Sequence, residues 1–364
     1  MSVLAAIAVL ALLILVHELG HFLAARLQGI HANRFSLGFG PILWKYQGPE
    51  TEYAIRVFPL GGFVGFPDDD PDSKYPPNDP NLLRNRPILD RAIVISAGVI
   101  ANLIFAYLVL VIQFGIIGIP SGLNYNPGVL VPRLMSETSI AAQAGIKAGD
   151  IIVGIKDQEL PASAEAINLL MQEIQNHPNQ NIQLTLQRNG ARSVVSLIPE
   201  LGTDGKGRIG VQLSPNASSA IYRRPNNVGE IFSLAGEQFQ DLFVATVNGF
   251  VQLATHFQET AKQVAGPVKI VEEGAKLAAT DSGRLFFFAA LISINLAIIN
   301  ILPLPALDGG QLAFLLIEAL RGKPVPVHIQ DGVMQTGLML LLGLGIFLIV
   351  RDTTQLEWVQ HLRP

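Results

Sequence analysis

The sequence predicts a polytopic α-helical membrane protein with four transmembrane helices, a membrane-associated β-hairpin or small sheet, and an inserted α+β domain. Three observations predict it. Hydrophobic residues make up 49% of the 364-residue chain and charged residues only 15%, against about 25% charged in an ordinary soluble domain. The apolar residues gather in four long, mostly uncharged runs, each as long as the helix of roughly 20 residues that crosses a bilayer about 30 Å thick. Between these runs lie one stretch with strand-like alternation and another mixing short strands with a helix.

The first run, Ser2 to about Leu27, has no charge from Ser2 to Val16. It lacks the basic start and small-residue cleavage pattern of a signal peptide, so it is read as a retained span. The second, Ala92 to Phe114, is interrupted by the polar Ser96, Asn102 and Gln113. The third runs from Leu285 to Leu307 and stays uncharged until Asp308. The fourth, Val333 to Val350, stops at Arg351. Between the first two spans sit Arg34, Lys45, Arg56, Lys74, Arg84, Arg86 and Arg91, and short loops rich in Lys and Arg stay on the cytoplasmic side. The N-terminus and the long region Gly115 to Arg284 then face outside, while the loop with Arg321 and Lys323 falls inside.

The expected organisation is an N-terminal membrane part at 1–118, an inserted domain at 119–216, an amphipathic helical linker at 217–284 and a C-terminal membrane part at 285–364. Within the first part, Asn33 to Phe66 reads as two strands around the turn "YQGPETE". Its exposed aromatics suit contact with the membrane, and any sheet edge at that depth must line protein or a water cavity. Asp68 to Asn81, "DDDPDSKYPPNDPN", is expected to be a mobile acidic surface loop. Pro127 to Leu213 reads as a compact domain, with strands at "GVLVP", "IIVGI", "IQLTLQR", "SVVSLI" and "RIGVQL", a helix at Ser163 to Gln175, and the turn "AGIKAGD". Val228 to Thr280 is helical and amphipathic, broken at "GPVKI" and too polar to span. Its apolar face is expected to lie on the bilayer or on the inserted domain.

The chemistry gathers at "ILVHELGHF". His17, Glu18 and His21 form H-E-x-x-H inside an apolar helix. Residues four apart share a helix face, so both imidazoles can bind one Zn²⁺ at about 2.0 to 2.1 Å, with Glu18 placed to take a proton from water. Ionisable groups inside a span cost about 2.5 to 3.5 kcal/mol at its centre and are functional by default. A catalytic zinc needs a third protein ligand. Among the acidic residues only Asp308 ends an uncharged span, and Pro303, Pro305, Gly309 and Gly310 around it would break the helix and let it reach sideways. The other reading of Asp308 is a cap on the helix that follows. His31, His177, His256, His328 and His361 fall in loops, the outer region or the tail. The chain has no cysteine, which excludes disulfides and thiolate ligands, and it has no basic stripe, which excludes a nucleic-acid partner.

"SIAAQAGIKAGDIIVGIKDQEL" resembles a PDZ module, whose groove between strand and helix can accept a peptide ligand. HELGH in the first span, this PDZ-like insertion and "NILPLPALDGG" (Asn300 to Gly310) together resemble the bacterial PDZ-containing branch of the site-two protease family, intramembrane zinc metalloproteases. The resemblance covers nearly the whole chain. It implies zinc on His17, His21 and Asp308, Glu18 as general base, and substrate-binding roles for Asn102 in "SAGVIAN" and for Asn300 and Pro303. It also implies single-span membrane protein substrates such as anti-sigma factors or remnant signal peptides, in a bacterial cytoplasmic membrane with the PDZ-like domain outside. Two other readings compete: a membrane-anchored PDZ scaffold with a structural zinc, and a transporter using His17, Glu18 and His21 as a proton or metal path. A structural zinc site has no use for the base Glu18, and a transporter leaves the inserted domain unexplained.

Overall fold

The computed structural model describes residues 2–70, 73–136, 138–156, 158–202, 205–260, 264–280 and 282–355. It divides into two compact units, 1–119 with 224–364, and 120–223. The first carries four helices long and apolar enough to cross a membrane.

Helix α1 (Ser2–Leu27) is built from Leu, Ala, Ile and Val with no Pro, and residues 30–33 lead from it into the strands. Strands β1 (Arg34–Gln47) and β2 (Glu52–Gly65) form one long hairpin closed at Gly48–Thr51, as the turn residues predict. The hairpin also folds over on itself. Residues 34–37 pair antiparallel with 62–65 and parallel with 52–55, which in turn pair with 44–47. The result is a four-segment sheet in the order 62–65, 34–37, 52–55, 44–47 rather than a simple hairpin. The fold-over needs sharp bends, and Gly38, Gly40 and Gly61 take positive φ values of 89°, 85° and 125° there. Phe39, Ile42, Leu43, Val57 and Phe58 stand exposed around the bends, an apolar rim suited to lipid.

The acidic segment 68–81 makes specific hydrogen bonds where it is described. The Asp68 carboxylate accepts from the backbone N–H groups of Leu83 and Arg84, and Asp70 accepts from Asn33 and Arg34. Polar side chains here satisfy backbone donors that no regular element would otherwise serve. Helix α2 (Ile88–Ile116) follows Pro87, with Asp90 in its first turn where the helix dipole favours an anion.

The second unit begins with β3 (Ile119–Leu134), and α3 (Ile140–Gln143) is capped by Ser139. Strand β4 (Ile151–Ile155), the short β5 (Gln158–Glu159), α4 (Glu165–Asn176), β6 (Ile182–Arg188) and β7 (Ala191–Leu197) follow, then a small pair of β8 (Glu200–Leu201) with β9 (Gly207–Arg208), and finally β10 (Val211–Arg223). The main sheet runs β10-β3-β4-β6-β7 with β5 beside β4. Its core holds Val129, Val131, Ile152, Leu170, Leu184 and Leu186, each at most 1% exposed. The turn "AGIKAGD" serves this packing. Gly145 and Gly149 take φ of 87° and 89°, and Asp150, 1% exposed, accepts from the Lys147 N–H and from Arg188 at 2.6 and 2.7 Å.

Back in the first unit, α5 (Val228–Thr255) starts under the side-chain cap of Asn227. It runs antiparallel along α2: Ile231 faces Gly115, and the ring of Phe239 lies 6.3 Å from that of Tyr107. Its apolar face packs in part on α2 and one further helix of the bundle. Short α6 (Phe257–Thr260), α7 (Pro267–Thr280) and α8 (Ser282–Ile301) come next. The break at "GPVKI" is real, with Pro267 opening α7. Helix α8 stops at Ile301 rather than at Leu307, because Pro303 and Pro305 lack an N–H and clash with a preceding turn. Helix α9 (Asp308–Arg321) and α10 (Val327–Gln355) complete the chain. Ala106, Leu110, Ala290 and Ile294, each buried completely, lock α2 to α8.

Candidate active site

His17 and His21 lie one turn apart on the face of α1 that meets α2. That face closes tightly. A Cβ on Gly20 would stand 2.7 Å from the Ala101 Cβ, and one on Gly98 would stand 2.7 Å from His17 Cε1 and closer still to His21 Nε2. Glycine at both places lets the helix backbones approach and leaves room for two imidazoles between them.

The third side chain arrives from the far end of the sequence. Residues 302–307 turn back after α8, with Ala306 in the left-handed region at φ 67° and its N–H 3.3 Å from Met334 Sδ. Gly309 and Gly310 are buried against the carbonyls of this turn, where no Cβ would fit. Asp308 is thereby the first residue of α9, but its side chain reaches sideways and makes no capping hydrogen bond to that helix, so the cap reading does not hold.

Three donor atoms converge. His17 Nε2 is 3.2 Å from Asp308 Oδ2, His21 Nε2 is 3.4 Å from the same oxygen, and the two Nε2 atoms are 3.2 Å apart. A tetrahedral ion holding its ligands at about 2.0 to 2.1 Å separates them by roughly 3.3 Å. The donor set therefore fits zinc in type and spacing, and Asp308 Oδ2, buried without a hydrogen-bond partner, is an acceptor left for a cation. Among the described residues this is the one cluster of three His, Asp or Glu groups that could hold a metal.

The surroundings orient these side chains. His21 Nδ1 lies 2.8 Å from the Val94 carbonyl, which makes Nδ1 the protonated nitrogen and leaves the Nε2 lone pair for a metal. His17, 8% exposed, has the Asn102 amide 3.3 Å from Nδ1 and the Asn300 amide 3.3 Å from Nε2. Ser293 of α8 donates to the Asn102 carbonyl at 2.8 Å, holding α8 to α2 at this level. Glu18 sits beside the cluster with its Cγ against Gly62 of the outermost sheet segment, where a Cβ would come within 2.8 Å. Pro303 stands exposed in the turn and makes none of these hydrogen bonds.

Of the sequence candidates, His17, His21, Asp308, Asn102, Asn300 and Glu18 are thus gathered in one place, and Pro303 shapes the turn nearby. Sequence reasoning missed Val94, Ser293 and Gly62. Ser293 was legible as a polar residue in an apolar span, whereas a backbone carbonyl such as that of Val94 leaves no trace in residue type. His31 pairs with Glu50 at 2.6 Å and His177 bonds the Glu173 carbonyl at 2.9 Å, away from the cluster. His361 lies outside the described residues.

Known proteins resemble the whole chain. The model of peptidase family M50 matches residues 5–344. A protein of Nostoc sp. (strain PCC 7120), provisionally named a zinc metalloprotease, is 66% identical over 100% of both chains. The chloroplastic membrane metalloprotease ARASP of Arabidopsis thaliana is 47% identical over 99% of this chain and 80% of its own length. Protease RseP of Yersinia pestis is 29% identical over 95% of this chain and 97% of its own. A solved PDZ domain of an SdrC-like protein from Listeria monocytogenes aligns with 24% of the chain, and with 88% of its own, at 18% identity and a TM-score of 0.21.

Proposed function

Because the chain belongs to peptidase family M50, the site-two protease family of membrane zinc metalloproteases, we propose that it hydrolyses a peptide bond in or near the transmembrane segment of single-span membrane proteins. The observation that carries this reading is the triangle of His17, His21 and Asp308 donor atoms, 3.2 to 3.4 Å on a side, inside apolar helices.

In this reading His17, His21 and Asp308 hold the zinc. Bound there, zinc supplies Lewis acidity, bringing the pKa of a water to about 7 and polarising a carbonyl. Glu18 would take a proton from the water as it adds to the carbonyl carbon and then deliver that proton to the amide nitrogen, after which the C–N bond breaks and the free amine leaves. Asn300, whose amide faces the metal side of His17, donates a hydrogen bond to the carbonyl oxygen.

A substrate helix must unwind before its carbonyl is reachable, and its freed backbone needs partners. Segment 62–65 ends the four-segment sheet, and its Gly62 lies against Glu18. An extended substrate can add to this edge as a further strand beside the base. Pro303 supports the turn that carries Asp308. The basic residues between α1 and α2 favour a cytoplasmic position for the sheet in a bacterial cytoplasmic membrane, and the β-rich unit 120–223 then lies outside. There, as a PDZ-like unit, it screens substrates by accepting a peptide end or by excluding bulk, admitting those already trimmed, as anti-sigma factors and remnant signal peptides would be.

The test is reconstitution of the chain in lipid vesicles with a single-span substrate. Mass spectrometry should place the cut in or beside the span, lost with a chelator and restored by zinc. Cuts confined to the substrate's soluble part by the zinc-loaded chain would refute the reading.

A further inference from the structure

Asn102 is completely buried in α2, and its side chain meets one ring nitrogen of a proposed zinc ligand, His17 Nδ1, at 3.3 Å. A substrate cannot reach an amide that sits behind the imidazole. The remaining question is what the amide does for the ring.

The two nitrogens of His17 have separate work. Nε2 is the one that meets Asp308 and His21 at 3.2 Å each, so it must offer a lone pair to a metal. A neutral imidazole that ligates through Nε2 carries its proton on Nδ1. That proton needs an acceptor, and His21 solves the same problem with the Val94 carbonyl at 2.8 Å. For His17 the only side chain hydrogen-bonded to Nδ1 among the described residues is Asn102. Its Oδ1 is buried with no donor, while its Nδ2 faces the ring. The two ends of a carboxamide have the same shape, so the ring nitrogen decides which end turns toward it. With the oxygen turned inward, the orphaned acceptor receives the Nδ1 proton. Ser293 donates to the Asn102 backbone carbonyl at 2.8 Å, which holds this part of α2 against the helix that also carries Asn300.

We propose that Asn102 is a positioning residue rather than a substrate-binding one: its Oδ1 accepts the His17 Nδ1 proton and thereby fixes the tautomer that ligates zinc through Nε2. The inference rests on the zinc-site reading above. It makes a sharp distinction between two substitutions of nearly equal shape. Asn102→Asp keeps an acceptor in both orientations, whereas Asn102→Leu keeps the volume and removes the acceptor.

The experiment measures zinc affinity by competition with a chelator on the full chain in detergent, together with the visible spectrum of the cobalt-substituted protein. Asn102→Leu should weaken zinc binding about 10- to 100-fold, the loss typical of a partner behind a metal-bound histidine. Asn102→Asp should bind zinc at least as tightly as the unaltered chain and keep its tetrahedral cobalt spectrum. Helical content and melting temperature of both variants show that they fold. Equal zinc affinity of Asn102→Leu and the unaltered chain would overturn the proposal while leaving the zinc site standing. So would equal losses in folded Leu and Asp variants, since shape or a donor would then be what matters. An unaltered chain that takes up no zinc would overturn the site reading itself and this inference with it.

Discussion

His17 and Asp308 come from opposite ends of the sequence, yet Nε2 of one stands 3.2 Å from Oδ2 of the other. The proposed metal site therefore forms only when α9 brings Asp308 to α1. Asp308→Ala should abolish stable zinc retention, a larger loss than the 10- to 100-fold that follows removal of an outer partner. Metal analysis after dialysis checks this; stoichiometric zinc in the variant would show that Asp308 is not a ligand.

Glycine at position 98 is a requirement of the site and not of helix formation. Gly98→Ala would press a methyl group into both imidazoles. It should cost about 1 to 3 kcal/mol as overpacking does and lower zinc occupancy. Gly236→Ala is the control. Position 236 in α5 has nothing within 4 Å of an added Cβ, and the change should stabilise by about 0.5 to 1 kcal/mol. Paired melting curves and zinc contents test the contrast.

Arg91 and Glu318 join α2 to α9 through two hydrogen bonds of 3.1 and 2.5 Å, with side chains only 16% and 14% exposed. Glu318→Ala leaves the guanidinium partly buried and unpaired, at a cost of about 3 kcal/mol. Because α9 carries Asp308, zinc affinity should fall as well. Replacing both residues with leucine should recover much of the stability, which denaturant titration of the single and double variants would reveal.

Acid should loosen the β-rich unit through Asp150. Burial pushes its carboxyl up, but hydrogen bonds from Arg188 and the Lys147 backbone outweigh this and hold it below the usual range. A lowered folded pKa means that the stabilisation is fully present above the unfolded value of about 3.9 and is lost as the pH falls through the folded value. Hydrogen–deuterium exchange in residues 120–223 should therefore show a urea midpoint that drops between pH 5 and pH 2. Asp150→Asn should be less stable at pH 5 and flatter across that range.

Much of this architecture was legible because each signal was local. Uncharged runs marked α1, α2, α8 and α10, the H-E-x-x-H spacing put His17 and His21 on one face, and "YQGPETE" closed the hairpin. Asp308 was legible because a charge at the end of an apolar run has few reasons to be there. What escaped was non-local. The fold-over of the hairpin depends on pairing 34–37 with 52–55, which strand alternation cannot encode. The amphipathic face of α5 was plain, but its packing along α2 depends on where Tyr107 and Gly115 stand in space. Two prolines ended α8 early, against an apolar run that continued to Leu307.

In the proposed mechanism Glu18 acts as a base next to a zinc held by His17, His21 and Asp308. Its most direct test is Glu18→Gln, assayed for zinc content and for cleavage of a single-span substrate in vesicles. Zinc content should equal that of the unaltered chain, and cleavage should fall about 10²- to 10⁴-fold, the contribution of general base catalysis. A variant that keeps its zinc and still cleaves at the original rate would contradict the mechanism.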